Sequence, residues 1–290
     1  MRLHLVDGTF ELFRSHYSKR PGRTAPSGQD VKATVGVVDA VLSLLEDPAE
    51  AVTHLAVAFD NPIESWRNDR FPGYKDGSGV EAAILDQFDL VERATAGLGV
   101  RVWSMDRHEA DDALATAAVT FADDFEQVRI LTPDKDLAQV VDGTRIVQVD
   151  RMRGREFDAD GVHDRLGVAP ESVPDYLALV GDTADGIPGL PGFGAKSTGA
   201  VLGRYPHLED IPRDGVWDLE VRGAARLAQT FDERFDDAIL YRELALLDRD
   251  VELGVGVDDL AFTGVPRDAY LQVCDELGVT ALRDRPSRWE

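Results

Sequence analysis

The sequence predicts an α/β fold: a mostly parallel sheet flanked by helices, followed by a smaller helical domain. Three observations carry that prediction. Short β-rich runs alternate with longer helical patterns through the first two thirds of the chain; three of the five strand-like runs end on an aspartate; and from about Val173 helices joined by short turns take over. With 290 residues, 43% hydrophobic and 29% charged, the chain can bury the core of one large or two modest domains. That composition excludes disorder as its main character.

Strands are predicted at residues 3–6, 55–59, 100–103, 128–131 and 145–149. Between them, residues 31–45 and 82–98 place apolar side chains at three- and four-residue steps, the amphipathic pattern of crossover helices. Gly/Pro/Ser-rich patches at 21–28 and 71–79 predict loops. Residues 222–247 read as one helix, with Asp232, Glu233, Asp236 and Asp237 on a solvated face. The domain division falls at 1–172 and 173–290. Cys274 stands alone, which excludes a disulfide framework and a multi-thiolate zinc site. No run approaches a membrane span, and the opening MRLHLVDGTF reaches acid and glycine too soon for a signal peptide, so a cytoplasmic protein with no membrane partner is expected.

The formal charge is −23, which argues against a polyanionic partner, but the charge is unevenly spread. Residues 1–75 hold 9 basic and 10 acidic side chains, whereas the remainder holds 22 and 44. An anion is therefore expected to meet the first quarter. Basic residues gather there at Arg14, Lys19, Arg20 and Arg23, and again at Arg67, Arg70 and Lys75. Tyr74 beside Lys75 offers a stacking face next to a charge, the combination suited to unstacked bases; the plainer reading is a solvated loop.

Ligands of parallel sheets bind beyond the carboxyl ends of the strands. Asp7, Asp60 and Asp134 end three strands, with Asp136 two residues on. HEADDALA follows the strand at 100–103 and puts Glu109, Asp111 and Asp112 in the first turn of a helix; GDTADG sets Asp182 and Asp185 at i, i+3. Any one of these is ordinary capping chemistry. Together they would repel at ~4 kcal/mol per close pair at an effective dielectric of 20, a large cost unless cations compensate it. All-oxygen ligation favours Mg²⁺ or Mn²⁺, and nine acids suit two ions, the arrangement that clamps a phosphoryl group for hydrolysis. Next to the last pair, Gly189, Gly192 and Gly194 with Lys196 and Ser197 form a turn able to aim backbone N–H groups and a helix N-terminus at a phosphate.

In order and nearly end to end, LVDGTF, AVAFD, WR…GYK, HEADDALA, ILTPDKDLAQVV and GDTADGIPGLPGFGAKSTG resemble the structure-specific 5′ nucleases, the group that includes the 5′-nuclease domain of bacterial DNA polymerase I and the flap endonucleases. The resemblance implies a Rossmann-like (PIN-like) nuclease core with an arch loop at about 64–92 and a helix-hairpin-helix module gripping duplex phosphates, often with K⁺. It assigns Asp7, Asp60, Glu109 and Asp111 to one metal site and Asp134, Asp136, Asp182 and Asp185 to a second, with Asp112 between them. Lys75 and Arg67 would act on the scissile phosphate and Tyr74 would lie in the arch. Duplex contacts would come from Arg14, Lys19, Arg20, Arg70 and the glycine turn. Ser78 stands where the family usually has an arginine, and Gly186 where many relatives have asparagine.

The expected protein is a free-standing 5′-3′ exonuclease and flap endonuclease acting on DNA with a free 5′ end, fork or flap. RNA or hybrid substrates and replication or repair protein partners are compatible with that chemistry. The alternative is a weakly active or inactive nucleic-acid-binding relative that works through protein partners. An aspartyl phosphatase, suggested by VDGT, needs a second aspartate where Leu5 stands.

Overall fold

The computed structural model describes residues Met1–Glu290. In chain order its elements are β1 (Arg2–Asp7), α1 (Gly8–His16), α2 (Lys32–Leu45), β2 (His54–Asp60), α3 (Trp66–Arg70), α4 (Ala82–Leu85), α5 (Phe88–Ala96), β3 (Arg101–Met105), α6 (Ala110–Thr120), β4 (Gln127–Leu131), β5 (Ile146–Asp150), β6 (Arg155–Phe157), α7 (Ala159–Leu166), α8 (Val173–Val180), α9 (Ala195–Arg204), α10 (Ala224–Glu233), α11 (Phe235–Ala245) and α12 (Arg267–Leu277). No helix is long and apolar enough to cross a membrane.

The chain forms two compact units. The first comprises Met1–Ser65, Gly77–Thr132 and Arg249–Glu290; the second comprises Trp66–Asp76 and Pro133–Asp248. In the first unit, parallel strands run in the order β3-β2-β1-β4, with Leu5 opposite Ala56 on one side and Ile130 on the other. All seven residues of β2 are buried, as expected of a parallel strand covered on both faces. Helix α6 packs on β1, β2 and β3, while α1, α2 and α5 pack together. In the second unit, β5 and β6 form an antiparallel pair. There α8 packs with α9 and α11 around Leu177, Leu179, Val201, Phe231 and Leu244.

Four features depart from the sequence reading. The helix expected over 82–98 is two helices, because Gln87 is fully buried at the break. Its Oε1 accepts from the Thr34 N–H and hydroxyl at 3.0 Å each, and its Nε2 donates to the Ala83 carbonyl at 2.7 Å. Likewise 222–247 divides into α10 and α11 at Arg234, whose backbone leaves the helical region while Phe231 and Phe235 pack edge to face across the break. The stretch expected as an arch loop contains α3, α4 and the start of α5, with Ile84 and Phe88 buried. The last 42 residues belong to the first unit rather than to the helical one, since Arg285 pairs with Asp39 and Glu46 of α2 and its flank and the Phe262 N–H donates to the Thr53 carbonyl.

Candidate metal centre

In the first unit, the strand ends hold their acids with local hydrogen bonds. Asp7 ends β1 and caps α1: Oδ1 accepts from the Phe10 N–H at 2.8 Å and Oδ2 from the Thr132 hydroxyl at 2.9 Å. Asp60 ends β2, with Oδ1 accepting from the Ala110 N–H at 2.6 Å, and its own N–H donates to the Thr9 hydroxyl. Glu109 caps α6 and accepts from the Ser65 hydroxyl at 2.8 Å. Asp112, fully buried, accepts from the Glu109 N–H at 2.9 Å, while Asp111 is half-buried. These bonds tie β1 and β2 and the α6 start to one end of the sheet, where the amides at the helix N-termini favour negative charge. Gly8 follows Asp7 because a Cβ there would meet the Phe59 ring at 2.5 Å and the Ala58 carbonyl at 2.7 Å.

In the second unit, the carboxylate oxygens of Asp136, Asp182 and Asp185 lie within 4.8 Å of one another. Ligands of one small divalent ion, ~2.1 Å from it, can stand no more than ~4.2 Å apart, so this group needs only a small closure to share an ion. Two ammonium groups already touch it: Lys135 Nζ is 2.5 Å from Asp182, and Lys75 Nζ is 3.0 Å from Asp185. Burial opposes the charge on Lys135, yet its hydrogen bond to Asp182 and the fields of Asp182, Asp136 and Asp134 raise its pKa. The oxygen-only donor set and this attraction for cations fit a hard divalent ion. Asp134 is exposed and accepts from the Asp136 N–H at 3.1 Å.

The loop after α8 is closed by paired backbone bonds between Asp182 and Ile187, and the Asp182 carboxylate accepts from the Ala184 N–H. Gly186 sits at φ +77°, and a Cβ there would stand 2.1 Å from the Gly73 carbonyl oxygen. That contact explains the residue after Asp185: an asparagine would not fit. The Lys75 N–H also donates to the Asp185 carbonyl, so Lys75 engages Asp185 twice. The helix-hairpin-helix geometry is present as α8, the glycine turn and α9. Gly189 and Gly192 have φ of +68° and +91°, Gly194 caps α9 facing open space, Ser197 bonds both backbone groups of Gly194, and Lys196 is exposed.

Several expected contacts are placed otherwise. Tyr74 is 4% exposed and belongs to the core of the second unit, so it presents no stacking face. Arg67 is wholly buried, its guanidinium donating to the Leu244 and Leu246 carbonyls at 2.7 and 3.0 Å, which makes it a C-terminal clamp on α11 rather than a phosphate ligand. Arg70 pairs with Glu243, Arg14 with Glu11, and Arg20 with Asp39. Lys19 is exposed. Sequence reasoning missed Lys135, although a lysine set between Asp134 and Asp136 is a visible signal, and missed the hydroxyls of Thr9, Ser65 and Thr132.

Residues 2–167 match the 5′-3′ exonuclease N-terminal resolvase-like domain, and residues 168–268 match the 5′-3′ exonuclease C-terminal SAM fold. The chain belongs to the 5′-3′ exonuclease family. It is 36% identical over 280 residues to DNA polymerase I of Pseudomonas aeruginosa, covering 95% of this chain and 30% of that polymerase. It is 32% identical over 288 residues to DNA polymerase I of Mycobacterium tuberculosis, covering 98% of this chain and 31% of the other. The chain thus spans about a third of the length of the curated relatives it matches. In solved structures its fold resembles the phage T5 5′-exonuclease with bound zinc ions, at a TM-score of 0.67 and 17% identity over 96% of this chain and 100% of that one. It also resembles the T5 flap endonuclease solved with DNA and metal ions, at a TM-score of 0.63 and 19% identity over 96% of this chain and 100% of that one.

Proposed function

We propose that this member of the family hydrolyses DNA phosphodiester bonds near a free 5′ end, both exonucleolytically and at flaps, in the cytoplasm. The observation that carries this reading is the convergence of Asp136, Asp182 and Asp185, gathered from a short turn and a loop far apart in sequence. Asp7, Asp60, Glu109 and Asp111 would hold one divalent ion and Asp134, Asp136, Asp182 and Asp185 another, with Asp112 fixing the start of α6. Mg²⁺ or Mn²⁺ held by these carboxylates would supply Lewis acidity and offset the negative charge of the phosphodiester.

The chain's own residues do the remaining work. Lys75 and Lys135 offset the mutual repulsion of the second acid group and hold it close-packed. Lys75, anchored by its backbone to Asp185, can turn its ammonium from that carboxylate to the scissile phosphate. The turn at Gly189, Gly192 and Gly194, with Lys196 and Ser197, binds duplex phosphates, with K⁺ as its monovalent ion. RNA–DNA hybrids and replication or repair partners fit the same surface chemistry.

The test incubates 5′-labelled single-stranded, duplex and flap DNA with Mg²⁺, with EDTA, and with Asp7→Asn and Asp182→Asn. The expected result is Mg²⁺-dependent release of 5′-phosphorylated products, reduced ~100-fold or more by either substitution. Cleavage that survives EDTA or both substitutions overturns the reading.

A further inference from the structure

Burial of Tyr74 leaves open which side chain meets an unstacked base. Of the chain's 12 Phe, 4 Trp and 6 Tyr residues, Tyr17 is the exposed one, with 62% of its surface accessible. Its placement is fixed. It is the C-cap of α1, its N–H donates to the Phe13 carbonyl at 3.0 Å, and the His16 ring props it edge to face at 4.9 Å and 83°. Lys32 Nζ donates to the His16 carbonyl at 2.5 Å and the Ser18 carbonyl at 2.9 Å, stapling the residues on either side of it.

The surroundings suit nucleic acid. Residues 14–32 hold five Lys and Arg and one Asp in a chain of charge −23. Lys19 and Arg23 are exposed. An aromatic face beside unneutralised cations binds bases by stacking and phosphates by charge.

Helix α1 also gives the ring a defined distance from the acids. Its first turn is capped by Asp7 and its end carries Tyr17. Nine helical residues separate the two by roughly 15 Å, the rise of about four stacked nucleotides. We propose that Tyr17 is a base-stacking platform which holds a terminal or unpaired DNA base at this distance from Asp7 and so sets the position of the cut. This inference rests on the hydrolytic reading above.

The experiment uses flap DNA with 2-aminopurine at the bases flanking the junction, read in EDTA for binding and in Mg²⁺ for cut position. Wild type quenches the probe at one position. Tyr17→Ala abolishes that quench, weakens Kd about tenfold and spreads the cuts over neighbouring positions, while Tyr17→Trp restores all three. A Tyr17→Ala chain with wild-type quenching and cut positions overturns the platform, as does loss in the Trp variant as well. A wild-type chain that quenches but never cuts overturns the hydrolytic reading instead, which separates the two failures.

Discussion

The two acid groups are built on different principles. In the first unit Asp7, Asp60, Glu109 and Asp112 are also helix and strand-end caps, so the hydrogen bonds that hold them are part of the fold. In the second unit Asp136, Asp182 and Asp185 sit on a short turn and a loop, and lysines offset their mutual repulsion. A carboxylate held by its own fold keeps its position when the local charge changes. A group held by ammonium ions is expected to respond to any cation that competes with them.

Each group contains an Asp-Gly pair, which gives the largest expected effect. Gly186→Ala forces a positive φ on a residue whose Cβ would overlap the Gly73 carbonyl, and should destabilise the protein by ~3 kcal/mol or more. Gly8→Ala needs no positive φ but meets the fully buried Phe59 ring as well as a carbonyl, and overpacking of that kind should cost ~1–3 kcal/mol. Urea denaturation of both variants checks the order. Equal losses would break the contrast between a loop strained in its backbone and a core that is only overpacked.

The lysines give the next effect. Lys75→Ala combined with Lys135→Ala leaves three close carboxylates without their ammonium partners and should lower stability by ~1–3 kcal/mol in EDTA. Millimolar Mg²⁺ should recover most of it. Thermal melts with and without Mg²⁺ decide; a double variant as stable as wild type in EDTA would mean that the lysines do not hold this group together.

The same contrast explains what could be read in advance. Asp7, Asp60 and Glu109 were legible because capping is local and the residue types at strand ends announce it. The positions along the chain of all four strands of the first unit followed from short apolar runs, whereas their order in the sheet did not. Tyr74 and Arg67 were not legible, because an aromatic and a cation in a Gly/Pro-rich segment look solvent-facing until the partners that bury them, Leu244 and Leu246 among them, are brought close by folding. The contact of Gly186 with Gly73 was hidden for the same reason, since it joins residues more than a hundred apart. Gln87 broke a helix whose periodicity was sound, because its amide serves Thr34.

Each unit also pairs a histidine with a carboxylate, and the two should act oppositely on stability. In the first, the hydrogen bond from His4, helped by Arg129, lowers the Glu50 pKa to about 2. A depressed carboxylate contributes stability above its unfolded value of 4.5 that is lost as pH falls towards 2. Screened by its partial exposure, this should amount to ~1 kcal/mol, and Glu50→Gln should flatten the acid limb of a stability–pH curve between those values.

His207 makes the smallest and opposite contribution. Its Nδ1 lies 3.0 Å from a carboxylate oxygen of buried Asp175, and that hydrogen bond, against modest desolvation, raises its pKa. A raised histidine contributes stability in full below its unfolded value of 6.5, and loses it as pH rises through the folded value. Arg242 Nη1 also donates to Asp175 at 3.2 Å, so the carboxylate stays paired when the imidazole is neutral, and the ring is about half exposed. Both facts limit the effect to a few tenths of a kcal/mol. Comparing His207→Gln with wild type in urea at pH 5.5 and 8.5 should give a small deficit at the lower pH that shrinks at the higher one. A deficit that grows with pH would mean that the neutral ring, not the imidazolium, is what Asp175 holds.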